Sequence, residues 1–156
     1  MDMSRSERIA APRDNVWAAL NDPAILKHCI PGCESIEKIS DTKMTAKVTL
    51  KVGPVKASFA GRVTLSELDP PNGYKITGEG SGGVPGFAKG GATVNLKDDG
   101  GTTQLDYVVN AQIGGKLAQL GARLIDSAAK KIAGEFFSNL AKVVVPDSQP
   151  SVTSAA

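Results

Sequence analysis

The chain has 156 residues, 41% of them hydrophobic and 22% charged, with a net charge of +2. That length suits one domain with a real core, and so small a net charge does not select nucleic acid as a partner. No apolar run approaches the roughly 18 residues of a membrane-spanning helix, and the opening MDMSRSERIAAP lacks the apolar stretch of a secretory signal. The cytoplasm is therefore the expected compartment. Two cysteines, Cys29 and Cys33, are too few for a disulfide scaffold.

In chain order, residues 4–10 read as a short first strand. Pro12 then stands where a helix begins, and residues 13–20 place Val16, Trp17 and Leu20 on one helical face. Asn21 and Asp22 break that helix and cap a second, from Pro23 to about His28. Pro31-Gly32 is a turn. The middle of the chain alternates with period two. Met44, Ala46, Val48, Leu50 and Val52 share one strand face against Lys43, Thr45, Lys47, Thr49 and Lys51. After Gly53-Pro54, residues Val55, Ala57, Phe59, Gly61, Val63 and Leu65 form the next inward set, and Tyr74, Ile76, Gly78 and Gly80 the one after Asp69-Pro70-Pro71-Asn72-Gly73. Residues 87–96 are another strand. Asp98-Asp99-Gly100-Gly101 is a hairpin turn, and Leu105, Tyr107, Val109, Ala111 and Ile113 close the inward list.

From Lys116 to about Val144 the period becomes helical. Leu117, Leu120, Leu124, Ala128, Ile132, Phe136 and Leu140 recur at spacings of three and four. This predicts one long amphipathic helix covering a curved antiparallel sheet, an α+β architecture with two small helices at one end. Residues 1–144 make the domain. Residues 145–156, rich in Pro, Ser, Thr and Ala, read as a disordered tail.

One stretch breaks the usual rules of strand composition. Between Lys75 and Gly91 glycine stands at 78, 80, 82, 83, 86, 90 and 91. Glycine weakens a strand because it loses the most backbone entropy and packs no side chain. Together with Ala46, Ala57, Gly61 and Ala111 on the inward parity, these residues predict missing bulk beneath the helix. Either helix residues such as Phe136 fill the space or a ligand does. A void of roughly 300 Å³ costs about 7 kcal/mol at about 24 cal/mol per Å³, so a large hollow needs an apolar guest or partial collapse. Wall candidates are Trp17, Leu50, Phe59, Val63, Ile76, Gly78, Gly80, Phe87, Tyr107, Leu120, Leu124 and Phe136.

The chemical motifs are weak. Residues 78–83 fit G-x-G-x-x-G in form, but a strand follows where a dinucleotide site needs a helix. Gly114-Gly115-Lys116 lacks the upstream glycine of a phosphate loop, Asn110 standing there. His28, Cys29 and Cys33 offer metal-ligand types without a second pair, and the cysteine spacing is not that of a redox C-x-x-C. With one histidine no hydrolase triad assembles. Glu79 and Asp106 fall on the outward parity. Asp126 lies near the edge of the helix stripe, in reach of Arg123 or Lys130. Lys89 reads as a rim lysine. Lys43, Lys47, Lys51 and Lys56 make a basic outer face, either simply solvated or available to an acidic partner.

The order of elements is similar to the helix-grip fold of the START-like (SRPBCC) superfamily. More closely, the chain resembles the CoxG family of carbon monoxide dehydrogenase subunits. The resemblance is carried by Asp22-Pro23, residues 29–36 (CIPGCESI), 51–57 (KVGPVKA), 69–71, 78–80, 86–90 (GFAKG) and 114–121 (GGKLAQLG), with Arg123-Leu124-Ile125-Asp126 and Ala129-Lys130-Lys131 beyond, and it covers roughly residues 3–142. It implies a non-catalytic accessory protein of a carbon monoxide dehydrogenase-type molybdenum hydroxylase. Such a protein holds a lipophilic quinone, menaquinone or ubiquinone, in the grip and links the enzyme to the respiratory chain. It also implies membrane association: many relatives carry a hydrophobic C-terminal extension that attaches to the membrane, and because this sequence reaches Ala156 without one, the expectation is a short form, a truncated one, or peripheral contact with the inner face of the cell membrane. The alternatives are an assembly or maturation factor, and a polyketide cyclase-like enzyme drawing on His28, Glu79 or Asp106.

Overall fold

In the computed structural model, which describes residues 1–82 and 86–145, seven antiparallel strands form one sheet beneath a long helix. The elements are β1 (Asp2–Ile9), α1 (Arg13–Leu20), α2 (Pro23–Cys29), β2 (Cys33–Ser40), β3 (Lys43–Val52), β4 (Val55–Asp69), β5 (Gly73–Ser81), β6 (Phe87–Asp99), β7 (Thr102–Gly114), a 3-10 turn (Gly115–Leu120) and α3 (Ala122–Val144). Strand order is β1-β7-β6-β5-β4-β3-β2. The chain thus lays β1 on one edge, crosses the sheet end with α1 and α2, and returns along a meander from the other edge.

The alternation read in the strands is the physical cause of the sheet's two faces. In β3, Met44 and Val52 are buried while Lys43, Lys47 and Lys51 are exposed. Asp22 caps α2 by accepting from the Ala24 N–H at 2.9 Å, with Pro23 opening the first turn.

Two elements differ from the sequence expectation. β2 is visible in the sequence only through the family resemblance. It is an edge strand with irregular register at Cys33–Ser35 and Lys38–Ser40, and Ile39 is exposed, so no clean alternation marks it. The single helix expected from Lys116 is interrupted. Gly121 adopts φ +90 and ψ 154, backbone reserved for glycine, and separates the 3-10 turn from α3. The helix proper is 23 residues, about 34 Å long at 1.5 Å per residue, instead of the roughly 42 Å that about 28 residues would span.

Packing is uneven along the molecule. At the end carrying α1 and α2, Ile9, Val16, Cys29, Leu105 and Leu140 are fully buried. There the Thr103 hydroxyl donates to the Ala11 carbonyl at 2.7 Å, and the Asn139 amide donates to the Cys29 carbonyl at 3.0 Å, tying α3 to α2. Along α3 only Leu140 and Val144 are buried; Leu124, Ala128, Ile132 and Phe136 are half-buried. The grip is closed at the first end. It is loose at the other, where the β3–β4 turn, the facing ends of β5 and β6, and the end of β7 gather. Of the expected tail only Val145 is described, capping α3 and packing on the core; residues 146–156 lie outside the described residues, as do 83–85.

Candidate functional site: an apolar cavity under the long helix

A cavity of about 270 Å³ lies between the sheet and the C-terminal half of α3. Its lining is wholly of apolar and phenolic residues from both small helices, five consecutive strands of the meander, β7 and α3. Alternation turns Met44, Val63, Ile76, Val94 and Tyr107 inward, and the helical period brings Phe136 and Phe137 down onto them. Phe137 stacks on Tyr107 with ring centroids 5.2 Å apart and stands edge-on to Phe136 at 5.0 Å.

The polar atoms of this interior are phenol hydroxyls. Tyr107 is only 6% exposed, and its hydroxyl is buried with no hydrogen-bond partner among the described residues. Burial pushes its pKa up, partly opposed by Arg5, its register neighbour on β1. Burial likewise raises Tyr74 to about 12. Both phenols therefore keep their protons at any physiological pH.

Beyond the cavity, toward the open end, the sheet floor is made of small residues in register. Ala46 faces Gly61, Gly61 faces Gly80, and Gly80 faces Ala88. One row away Val63 faces Gly78, Gly78 faces Gly90, and Gly90 faces Ala111. A methyl group on Gly78 would meet only the Arg62 carbonyl oxygen at 3.3 Å and Val63 at 3.7 Å, and nothing from α3. The helix does not fill this space. Gly90 is glycine for another reason, since a Cβ there would lie 2.0 Å from the Asn110 carbonyl oxygen. Some of the glycine richness thus serves close approach of strands and not a ligand.

Of the twelve wall candidates, Val63, Ile76, Tyr107 and Phe136 line the cavity. The other eight are placed elsewhere. Trp17 stands behind the wall, edge-on to Tyr74 at 5.2 Å. Leu50 and Leu124 border a separate cleft of about 350 Å³ beside the β3–β4 turn, where Leu124 seats against Gly53. Gly78 and Gly80 form the open floor. Phe59 sits further along it, beside Gly82. Leu120 falls in the 3-10 turn, outside the α3 stripe, because the chain breaks at Gly121. Phe87 is the clear correction. Alternation with the buried Val94 and Leu96 turns it outward, and it is 45% exposed. Sequence reasoning passed over Leu26 and Ile30 at the end of α2, Ile36 on β2 and Phe137. For Phe137 the signal was present: 133, 136, 137, 140 and 144 repeat at three and four.

The remaining candidates do not converge. His28 is exposed at the end of α2, and Cys29 is buried with its thiol pKa raised by that burial. No group of three metal-ligating side chains assembles among the described residues. β5 carries Gly78 to Ser81 and β6 begins at Phe87, so a strand and no helix follows the glycine-rich segment. Glu79 and Lys89 are exposed on the outer face, and Asp126 sits by the start of β1. Asp106 points outward too, accepting from the Ser6 hydroxyl at 2.5 Å and the Gln104 amide at 3.0 Å. These bonds and Lys97 hold its carboxyl below the usual range.

A helix gripped by a curved seven-stranded antiparallel sheet, with the hollow between them, is the helix-grip architecture of START-like proteins. A START superfamily protein from Mycobacterium smegmatis shares it at TM-score 0.70, with 11% identity over 92% of this chain and 96% of that one. The Zhui aromatase/cyclase from Streptomyces sp. R1128 shares it at 0.69, with 14% identity over 99% of each chain. The profile of the CoxG family of carbon monoxide dehydrogenase subunits matches residues 6–145, and the chain belongs to that family. A conserved protein from Geobacillus kaustophilus is 32% identical, with TM-score 0.88 over 92% of this chain and 95% of its own. No curated protein matches the chain. Among the described residues no helix is long and apolar enough to cross a membrane.

Proposed function

We propose that this protein is a non-catalytic carrier of a lipophilic quinone, menaquinone or ubiquinone, and serves a molybdenum hydroxylase of the carbon monoxide dehydrogenase type. In this reading the quinone ring occupies the 270 Å³ cavity and one carbonyl oxygen accepts the Tyr107 hydroxyl. The isoprenoid tail runs out over the floor of Gly61, Gly78, Gly80 and Ala88 to the open end. The quinone is reduced on the partner's redox chain and leaves as the quinol, delivering electrons to the respiratory chain through peripheral contact with the cytoplasmic face of the membrane.

The observation that carries this reading is the hollow itself, lined by apolar and phenolic side chains, with a wall residue, Tyr107, whose buried hydroxyl has no partner among the described residues. A buried hydroxyl without a partner costs roughly 1–3 kcal/mol, and an empty hollow of 270 Å³ costs about 6 kcal/mol at about 24 cal/mol per Å³. Both penalties vanish for a flat apolar ring bearing a hydrogen-bond acceptor. The cyclase-like alternative needs an acid or base facing the substrate, and the described lining offers two phenols with no carboxylate, imidazole or amine. Family membership supports the choice of partner.

The test is organic extraction of protein purified from a quinone-producing host, followed by thermal unfolding with added menaquinone and ubiquinone. Quinone in the extract is expected, and a saturating ligand at about a hundred times its Kd should raise Tm by about 5–10 °C. An extract free of quinone, together with an unmoved Tm, would sink the carrier reading.

A further inference from the structure

The chain crosses the open end of the grip on one short segment. It leaves β7 at Gly114, which is paired with Phe87 at the start of β6. By Leu124 it has reached the β3–β4 turn, where that side chain lies against Gly53. Between these points it passes the ends of β6, β5 and β4, a span of about 17 Å at about 4.8 Å per strand. Residues 115–123 therefore form a strap across the end toward which the small-residue floor leads.

Little holds this strap in place. Leu117 is its one buried side chain; Leu120 is half-buried, and the rest of residues 115–123 are exposed. Leu117 stands apart from the continuous core, as do the buried Val52 and Ala57 beside the β3–β4 turn. Among the described residues no hydrogen bond or ion pair joins residues 115–120 to another strand or helix. Both ends of the 3-10 turn carry glycine at positive φ, Gly115 at +75 and Gly121 at +90, and glycine leaves and re-enters such conformations without the steric cost other residues bear. Nothing lies within 4 Å of a Cβ at Gly121, so no neighbour blocks rotation there.

We propose that the strap swings as a unit on Gly115 and Gly121, withdrawing Leu117, and that this opening is the door to the cavity. What passes through it rests on the carrier reading; the movement itself does not. The two clefts flanking α3 are poorer portals. Lys51, Lys131 and Glu135 line one, and Arg5, Asp126 and Lys130 line the other, so an apolar guest there would strip water from charged groups. Beneath the strap it meets Gly61, Gly78, Gly80 and Ala88 instead. A single pinned leucine keeps such a segment shut for most of the time, yet lets it open far more often than the domain unfolds.

Two measurements test the strap. Native-state hydrogen exchange on the guest-free protein should find the amides of residues 118–121 protected, but opening locally and far faster than those of β7 or of residues 137–144. Leu117→Ala removes about three buried methylene equivalents and should speed that exchange on the order of tenfold to fiftyfold, leaving β7 as it was. Stopped-flow mixing with N-phenyl-1-naphthylamine, an apolar dye that brightens out of water, should then show entry and exit accelerated by the same factor, with Kd unmoved, because the strap acts on passage and not on the bound state. Leu117→Val, the milder truncation, should give the same pattern at several-fold and serves if the alanine variant does not fold. Val16→Ala, a truncation in the closed-end core away from the cavity lining, should lower thermal stability and leave both dye rates alone. Amides of residues 118–121 that are unprotected, or that exchange only with the whole molecule, would overturn the proposal. So would dye rates insensitive to Leu117 or equally sensitive to Val16. Local exchange as expected, with neither dye nor quinone bound, would remove the carrier reading and leave the moving strap standing.

Discussion

Tyr107 carries the tension of the site at the scale of one residue. Its ring is held by Phe137 and its place on β7, yet its hydroxyl has no partner among the described residues. Removing a hydroxyl of this kind relieves a desolvation penalty in the empty protein, while it removes a hydrogen bond from the filled one. Tyr107→Phe is therefore expected to act with opposite sign in two measurements. Thermal unfolding of the ligand-free variant should show a gain of about 1–2 kcal/mol, and titration with quinone should show affinity reduced by about five- to tenfold. A loss of stability in the ligand-free variant would mean that the hydroxyl is satisfied after all. The inward direction of Tyr107, like that of Val63 and Ile76, was legible because side chains alternate along a strand. The same rule, applied from Val94 and Leu96 backward, turns Phe87 away from the interior.

At the scale of elements the important feature is the break before α3. Leu117, Leu120 and Leu124 keep helical spacing straight through Gly121, so the periodicity alone argues for a continuous helix. The chain instead turns at Gly121 with φ +90, which directs the 3-10 turn and α3 along different paths. Nothing lies within 4 Å of a Cβ at this position, so the constraint is backbone conformation and not space. Gly121→Ala is expected to destabilise the fold by about 1–3 kcal/mol, the usual cost of forcing an L-residue into this region, and denaturant unfolding would measure it. An unchanged midpoint would show that the two helical segments tolerate a straighter junction. β2 illustrates the converse difficulty: as an exposed edge strand with irregular register, it has little alternation for a reader to find.

Across the whole molecule, stability and cavity stand in opposition. Leu140, Val16 and Ile9 pack the closed end solidly, while a 270 Å³ hollow bordered by Leu105 lies next to them and the small-residue floor extends from it toward the other end. A substitution that fills the hollow should then stabilise the empty protein. Ala92 lines the cavity on β6, between Ile76 and Val109. Ala92→Leu adds three carbons and should raise stability by about 2 kcal/mol, or Tm by about 5 °C for a domain of this size. It should also abolish any quinone-induced shift. A lowered Tm would show that the room is not there, because overpacking a filled core costs about as much as filling a hollow returns.

The linear order of residues was enough to determine the α+β class, the meander, the amphipathic terminal helix and the deficit of bulk on the inward face. Each depends on periodicity or on turn chemistry within a few neighbouring residues. What only tertiary structure decided is where that deficit lies. Register between strands set Gly61, Gly78, Gly80 and Ala88 side by side. The break at Gly121 decided which side chains of the helix reach the sheet, and α2 brought Leu26 and Ile30 into the wall. These are contacts between residues far apart in the chain. Local spacing carries no information about such pairs, because their proximity is created by the packing of whole elements against one another.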